Sequence, residues 1–195
     1  FFIISLSFIF AIGSVFYALS LPNIYTSELI LKVSGSTNSS MSQNSQFGGI
    51  AALAGVSLGN GTGLDEKADI ARQTIKSRDF AKHISSFENV LPSMMALKSY
   101  DASKESIVFD EKIYDSKENV WLSTLPSNYD VHKKFLSMVD VYRDIDTGFL
   151  AISVNHQSPY FAKYFLELII EELNNIERDR DIAEAQRSKN YLNNQ

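Results

Sequence analysis

The sequence predicts an α+β protein: an N-terminal transmembrane helix, a domain with a small mixed sheet and packed helices, and one long projecting C-terminal helix. Three observations lead to this prediction. An uncharged apolar run opens the chain at residues 1–21. Two stretches, 137–143 and 149–155, alternate apolar and polar residues as strands do, and an apolar pattern at helical spacing begins at Pro159.

The opening run has the length and composition of a membrane anchor. At about 1.5 Å per residue, residues 1–21 reach roughly 30 Å, which is one hydrocarbon thickness, and Pro22 would end the helix. A cleavable signal peptide is a competing interpretation, because Ala18–Ser20 is a small-x-small triplet. The apolar run is longer than a typical signal-peptide core, so we expect an anchor rather than a signal peptide or a buried helix.

The chain divides into three predicted parts: a transmembrane helix at 1–21, a periplasmic α/β base domain at 22–158, and a long helix at 159–195. It begins with Phe1 and stops at Gln195 within the helical pattern, so we expect the natural protein to be longer and this helix to be truncated. The only charges from 22 to 64 are Glu28 and Lys32. Since this flank is not basic, we expect the main domain to be translocated, which in a bacterium means the periplasm.

The composition argues against several functional classes. A net charge of −5 without a Lys/Arg-rich block does not predict a nucleic-acid partner. The absence of Cys excludes disulfides and thiolate metal sites. His83, His132 and His156 lie far apart in sequence, and Asp144 and Asp146 are expected to bond turn amides. We therefore predict no catalytic residue, metal or cofactor, and no enzyme.

The first segments after the anchor predict a strand, a loop and a short helix. Tyr25–Val33 alternates with period two and is rich in β-forming residues. Gly35–Gln46 is rich in Ser, Asn and Gln, which predicts a loop. The small apolar segment Phe47–Gly63 lacks the Gly-Lys-Ser/Thr of a phosphate loop, so a short helix at Ile50–Leu58 is expected instead.

Residues 65–87 predict a kinked pair of helices. Apolar residues recur near helical spacing, but the phase slips between Ile75 and Phe80, where Ser77 could cap a second helix. Leu91-Pro92 is expected to end this region. Residues 98–135 are mixed, and the apolar clusters 107–109 and 120–122 could lie in strands or loops.

The clearest hairpin signal lies at Ser137–Arg143 and Phe149–Asn155. The five residues between the two strands have turn chemistry, and Gly148 suits a positive φ.

The last predicted element is a helix from Pro159 to Gln195, roughly 55 Å long at about 1.5 Å per residue. Ser158 can cap it, and Pro159 suits the first helical position. Its second half alternates in charge, with Arg180–Glu184 and Glu184–Arg187 pairs within reach on one face. So long a rod cannot stay buried in this domain, and its second half must project or pack against other chains.

The order of these segments resembles a known family. The apolar helix, YTSELIL, FGGIAALAG and IARQTIKSRDFAKHI are similar to the N-terminal region of Wzz-type chain-length determinants, the polysaccharide co-polymerases. DIDTGFLAISVNHQSPYFAKYFLELIIEELNNIERDRDIAEAQRSKNYL continues the family's order of turn, strand and long helix. The resemblance covers nearly the whole chain and is weakest at 98–135. The second membrane helix of the family, and the Pro-rich stretch before it, are not in this sequence.

The resemblance implies an inner-membrane protein that forms ring-like homo-oligomers and sets the length of O-antigen or a similar glycan. Its expected partners are a glycan polymerase in the same membrane, the lipid bilayer and polysaccharide. It implies structural roles for the motif positions Ser77, Arg78, Phe80, Gly148 and Pro159. From the charge pattern we expect oligomer contacts at Arg178, Arg180, Glu184 and Arg187.

Two other functions stay open on the sequence. One is the membrane and periplasmic half of a tyrosine autokinase that controls exopolysaccharide or capsule export, with its kinase domain beyond Gln195. The other is a secreted carbohydrate-binding domain behind a cleaved signal peptide. The sequence does not specify the glycan, its length or the number of subunits.

Overall fold

The computed structural model describes residues 2–32, 62–144, 147 and 149–193. Its helices are α1 (Phe2–Ser20), α2 (Thr62–Ile75), α3 (Arg78–Ser85), α4 (Val90–Met95), α5 (Asn128–Met138) and α6 (Pro159–Asn193). Its strands are β1 (Tyr25–Leu31), β2 (Leu97–Asp101), β3 (Ser106–Phe109), β4 (Tyr114–Asp115), β5 (Val120–Trp121), β6 (Val139–Arg143) and β7 (Leu150–His156). The predicted α+β class and the long C-terminal helix are confirmed. The predicted helix Ile50–Leu58 and the turn residue Gly148 lie outside the described residues.

Within the described part of the chain, the main sheet has three strands in the order β1-β7-β6. Both pairings are antiparallel, with Tyr25 opposite His156 and Val139 opposite Val154. The predicted mixed sheet is therefore wrong: β6 and β7 form the expected hairpin, and β1 joins the other edge of β7 in the opposite direction. The pairs β2-β3 and β4-β5 are two further antiparallel hairpins.

The alternation predicted for the hairpin strands sets the two faces of the sheet. Val139, Val141, Ile152 and Val154 are at most 3% exposed and face the helices. On the other face polar side chains pair across strands: Tyr142 Oη donates to Glu28 Oε1 at 3.0 Å, and Thr26 Oγ1 lies 2.6 Å from Asn155 Oδ1. The turn follows the prediction at Asp144, whose Oδ1 accepts from the Thr147 N–H at 3.0 Å.

A row of phenylalanines joins three helices beneath this sheet. Phe80 of α3 meets Phe135 of α5 edge-on at 6.2 Å between ring centroids, and Phe135 meets Phe165 of α6 at 5.9 Å. Phe161 stacks on Phe165 at 5.2 Å. We call these four residues the phenylalanine row. Because α6 also packs against β1 and β7, the row links the helices to the sheet.

Two helices differ from the sequence-based expectations. Leu91-Pro92 does not end a helical region but lies in the first turn of α4, where the missing proline N–H costs no helical bond. Helix α5 was not predicted, and Ser137 lies in it rather than in the strand. Its signal is a capping box, in which Ser127 and Asp130 bond each other's backbone amides.

Helix α1 begins the described chain and occupies most of the predicted membrane span. Phe10, Phe16 and Leu19 expose between 71% and 79% of their surface. Among the residues described, however, no helix satisfies the length and hydropathy expected of a segment that crosses a bilayer. The predicted transmembrane helix at 1–21 is therefore not supported by this structure.

Phe135→Ala tests the phenylalanine row. Phe135 is fully buried between Phe80 and Phe165, so we expect the free energy of unfolding to fall by about 3–5 kcal/mol. Leu136→Ala, next to it on α5 but with a 42% exposed side chain, is the matched control and should cost much less. Urea unfolding followed by circular dichroism measures both, and equal losses would contradict the central place of the row.

Candidate functional site

The motif positions 77, 78 and 80 form the junction between α2 and α3. Ser77 Oγ accepts from the Phe80 N–H at 3.1 Å and begins α3 as the predicted cap. A side chain of α5 also contacts this junction, because His132 Nε2 lies 2.9 Å from the carbonyl oxygen of Lys76, just after the end of α2. Phe80 then enters the phenylalanine row. Arg78 is the first residue of α3. The contacts of Ser77 and Phe80 therefore fix the start of this helix and its place against the core.

The β7–α6 junction is built around a buried histidine. His156 Nδ1 accepts from the Ser158 N–H at 3.0 Å, and its Nε2 lies 3.2 Å from the Ser93 carbonyl oxygen. Since Nδ1 accepts, the ring proton of the neutral form is on Nε2 and is donated to Ser93. Ser158 Oγ accepts from the Phe161 N–H at 3.2 Å, which confirms the predicted cap ahead of Pro159. The local hydrogen bonding predicted for His156 is confirmed, and Ser93 is the partner that the sequence did not indicate.

This environment favours the uncharged ring. Burial lowers the pKa of His156 from its ordinary value of 6.5, the Ser93 carbonyl opposes that shift, and the Lys134 cation adds a small further decrease. A proton added at Nδ1 would point at the Ser158 N–H and break the bond it donates. His156 therefore holds the start of α6 by neutral hydrogen bonds.

A second histidine contact, between α3 and α6, lies at the surface. His83 Nε2 lies 2.6 Å from Glu172 Oε2, so this pair joins α3 to α6. The His83 side chain is 48% exposed and that of Glu172 is 14% exposed. The sequence indicated a partly exposed His83 but not Glu172 as its partner. Among the described residues, no three His, Asp or Glu side chains converge as metal ligands would.

Helix α6 has two halves with different environments. Residues 159–173, which we call the root, place Phe161, Phe165, Ile169 and Leu173 in the core. Residues 174–193, which we call the arm, have no buried side chain among those described, and Tyr191 and Leu192 are 67% and 70% exposed. At about 1.5 Å per residue the arm is roughly 30 Å long, and it projects as the sequence predicted.

The direction of α6 follows from the sheet register. Its first turn follows His156, which pairs with Tyr25 at the beginning of β1. Farther along, Leu173 and Asp181 line a cleft of about 290 Å³ together with Leu31 and Leu150, at the opposite end of the same strand pair. The arm therefore leaves the domain at the end of the sheet farthest from the residues that follow α1.

The predicted oligomer-contact residues all lie on the arm. Arg180 forms an ion pair with Glu177 one turn earlier. The predicted pairs of Glu184 with Arg180 and Arg187 involve a side chain outside the described residues. Arg178 Nη2 donates to Asn175 Oδ1 at 3.3 Å, and Arg187 is exposed. The structure brings these residues to one projecting element, and their contact with another subunit stays a prediction.

Comparison with known proteins finds a similarity for the first part of the chain. Residues 1–87 match the family model described as Wzz: Chain length determinant protein, which confirms the resemblance drawn from the N-terminal segments. The resemblance drawn from residues 144–192 lies outside this match and stays a prediction. No curated protein matches the chain. The match supports a role in determining polysaccharide chain length, and chain length determinants of this family are regulatory rather than catalytic.

His156 makes stability depend on pH. Its pKa is lowered in the folded protein, so the stability it contributes is complete above the unfolded value near 6.5 and is lost as pH falls through the lower folded value. We expect His156→Gln to be less stable than wild type at pH 7.5 and the difference to shrink at pH 5. Denaturant midpoints at the two pH values measure this.

The control for this experiment is Ile152→Val, a buried change on the same strand that adds or removes no titratable group. Its stability deficit should be alike at both pH values. A His156→Gln deficit that is equally independent of pH would contradict the neutral buried histidine.

Proposed function

We propose that this protein is a non-catalytic inner-membrane regulator of polysaccharide chain length, acting on lipopolysaccharide O-antigen as an oligomeric scaffold for a glycan polymerase. The observation that carries the proposal is the chain-length-determinant match at residues 1–87. That segment contains α1, β1, α2 and α3. Two of these elements, β1 and α3, are attached directly to the rest of the domain, by the β1-β7 pairing and the phenylalanine row.

The proposal places the main domain in the periplasm with the protein associated with the inner membrane. Its support is the composition of α1, which has no Asp, Glu, Lys, Arg or His and leaves Phe10 and Phe16 71% exposed. Exposed apolar surface of this extent is favourable in a lipid environment and unfavourable in water. The polymerase it serves would then lie in the same membrane.

The arm supports the proposal of a homo-oligomer. Most of the stability of a helix in a protein comes from packing of its apolar face. Ile176 still packs, partly buried, against the core, but beyond Arg180 every described side chain of the arm is exposed. Packing against the same arm of neighbouring subunits would supply the missing contacts by a self-complementary or cyclic interface. The exposed Ile182, Tyr191 and Leu192 would provide apolar area, with the arginines around them.

Deletion of the gene tests the function. We expect the electrophoretic ladder of surface lipopolysaccharide to change from a clustered band distribution to a monotonic decay of chain lengths. Complementation with the wild-type gene should restore the cluster, and complementation with Leu136→Ala should do the same. An unchanged ladder would contradict the O-antigen proposal, and a simultaneous change in capsule or exopolysaccharide would favour the autokinase pathway instead.

Reversal of the arm charges tests the scaffold. Arg180→Glu alone should change little, since one half-exposed ion pair at the surface is worth about 0–1 kcal/mol. The combination Arg178→Glu, Arg180→Glu and Arg187→Glu, with Glu184 kept, would place like charges opposite each other between arms. It should dissociate the oligomer, measured by sedimentation of the detergent-solubilised protein. Exchanging Lys163 and Glu167, an exposed pair on the root of the same helix, is the control and should leave the oligomer intact. Persistence of the oligomer after the three arginine reversals would contradict the assignment of contacts to these residues.

A further inference from the structure

A polar cleft lies at the end of the sheet opposite the arm. It has a volume of about 430 Å³ and is lined by segments far apart in the chain. Leu21, Pro22 and Asn23 come from the connection between α1 and β1, and Tyr25 is the first residue of β1. Gln157 comes from the β7–α6 junction, and residues 98–100 and 102 come from the β2-β3 hairpin. We call it the tyrosine cleft and define it by Asn23, Tyr25, Lys98, Ser99, Tyr100 and Gln157. Its volume is in the range of small-ligand sites.

The groups in the tyrosine cleft suit a ligand with both an apolar face and many hydroxyls. Tyr25 is 39% exposed, and Tyr100 gives the cleft a second phenol ring. Aromatic rings provide flat apolar surface beside a polar hydroxyl. Asn23 and Gln157 each carry an amide that donates and accepts, and Ser99 adds a hydroxyl that does the same. A sugar ring, apolar on one face and hydroxylated around its edge, matches this set.

The charges around the cleft argue against an anionic ligand. Lys98 is the cation among the lining residues, whereas Asp101 and Glu105 belong to the same hairpin. Burial, followed by the fields of Glu105, Tyr25 and Asp101, raises the pKa of Tyr100. Glu105 also accepts a hydrogen bond from Tyr160, which raises the pKa of that phenol. A phosphate here would meet the field of Glu105 and that of Asp101, which Lys104 partly offsets from 3.9 Å, with Lys98 as the cation that lines the cleft. A neutral ligand would not meet that repulsion.

We infer that the tyrosine cleft binds an uncharged sugar unit of a glycan, with Tyr25 and Tyr100 packing on its ring and Asn23, Ser99 and Gln157 bonding its hydroxyls. That the sugar belongs to the glycan whose length is regulated rests on the proposed function. The cleft begins one residue after α1 ends, at Leu21. A glycan attached to a membrane lipid would therefore meet the protein at the side where α1 leaves it.

Direct binding tests the site. The full chain in detergent micelles is titrated with oligosaccharides of one to three repeat units, released by mild acid from the host's own surface polysaccharide, and followed by saturation-transfer NMR. We expect Tyr100→Ala to weaken binding about tenfold and Gln157→Ala a few-fold, as lost ring and hydrogen-bond contacts should. Tyr100→Phe should lie between Tyr100→Ala and wild type.

Tyr129→Ala is the matched control, because Tyr129 is 61% exposed on α5 and does not line the cleft. It should bind like wild type, and circular dichroism should show all four variants folded. Absence of wild-type binding, or equal affinity in the cleft variants, would overturn the inference. So would binding to phosphatidylglycerol vesicles that Lys98→Ala abolishes, in the absence of oligosaccharide binding, because that result identifies a lipid-headgroup site.

The same variants separate the two proposals. If gene deletion changes the lipopolysaccharide ladder while the oligosaccharides do not bind, the proposed function stands and the cleft assignment fails. If the ladder is unchanged but binding depends on Tyr100 and Gln157, the cleft is a glycan site and the proposed function fails.

Discussion

The contact of Phe165 with Phe135 is the interaction on which the rest of this fold depends. Through it the root of α6 is fixed to α5, and through Phe80 the same row reaches α3. The sheet is connected to α6 by a second set of contacts, since His156 and Ser158 fix the start of α6 to the end of β7. A fully buried Phe is worth about 1.5–3 kcal/mol by transfer alone, so the row contributes a large part of a domain's net stability.

This arrangement explains how the first half of α6 can lie in the core while its second half projects from the domain. The apolar positions of α6 recur through Phe165, Ile169 and Leu173, and then give way to Glu177, Arg178 and Arg180. The root is stabilised by burial, while the arm continues the hydrogen-bonded ladder of a helix that is already nucleated. A change in the composition of a single element therefore defines the boundary between the domain and its projecting part.

Most of the elements that the sequence predicted rest on local signals, whereas contacts between residues distant in the chain were not predicted. Ser77, Ser158 and the alternation in β6 and β7 act within a few residues, and each formed the structure expected. The capping box of Ser127 and Asp130 was equally local and was missed among the mixed residues 98–135. By contrast, the pairing of β1 with β7 joins Tyr25 to His156, and no periodicity in either strand specifies that edge or its antiparallel direction. The sequence did not predict the tyrosine cleft for the same reason, because its lining comes from three separated segments.

The register of β1 on β7 also relates the two candidate functional regions to each other. Tyr25 and His156 mark the end of the sheet that adjoins the tyrosine cleft, and Leu31 and Leu150 mark the end where the arm departs. A seven-residue strand at about 3.4 Å per residue separates these ends by roughly 20 Å. If α1 associates with a membrane as proposed, a glycan held in the cleft would lie near the lipid surface while the arms meet farther out. Binding and assembly would then use opposite ends of one rigid sheet, so a substitution in the cleft should leave the arm contacts unchanged.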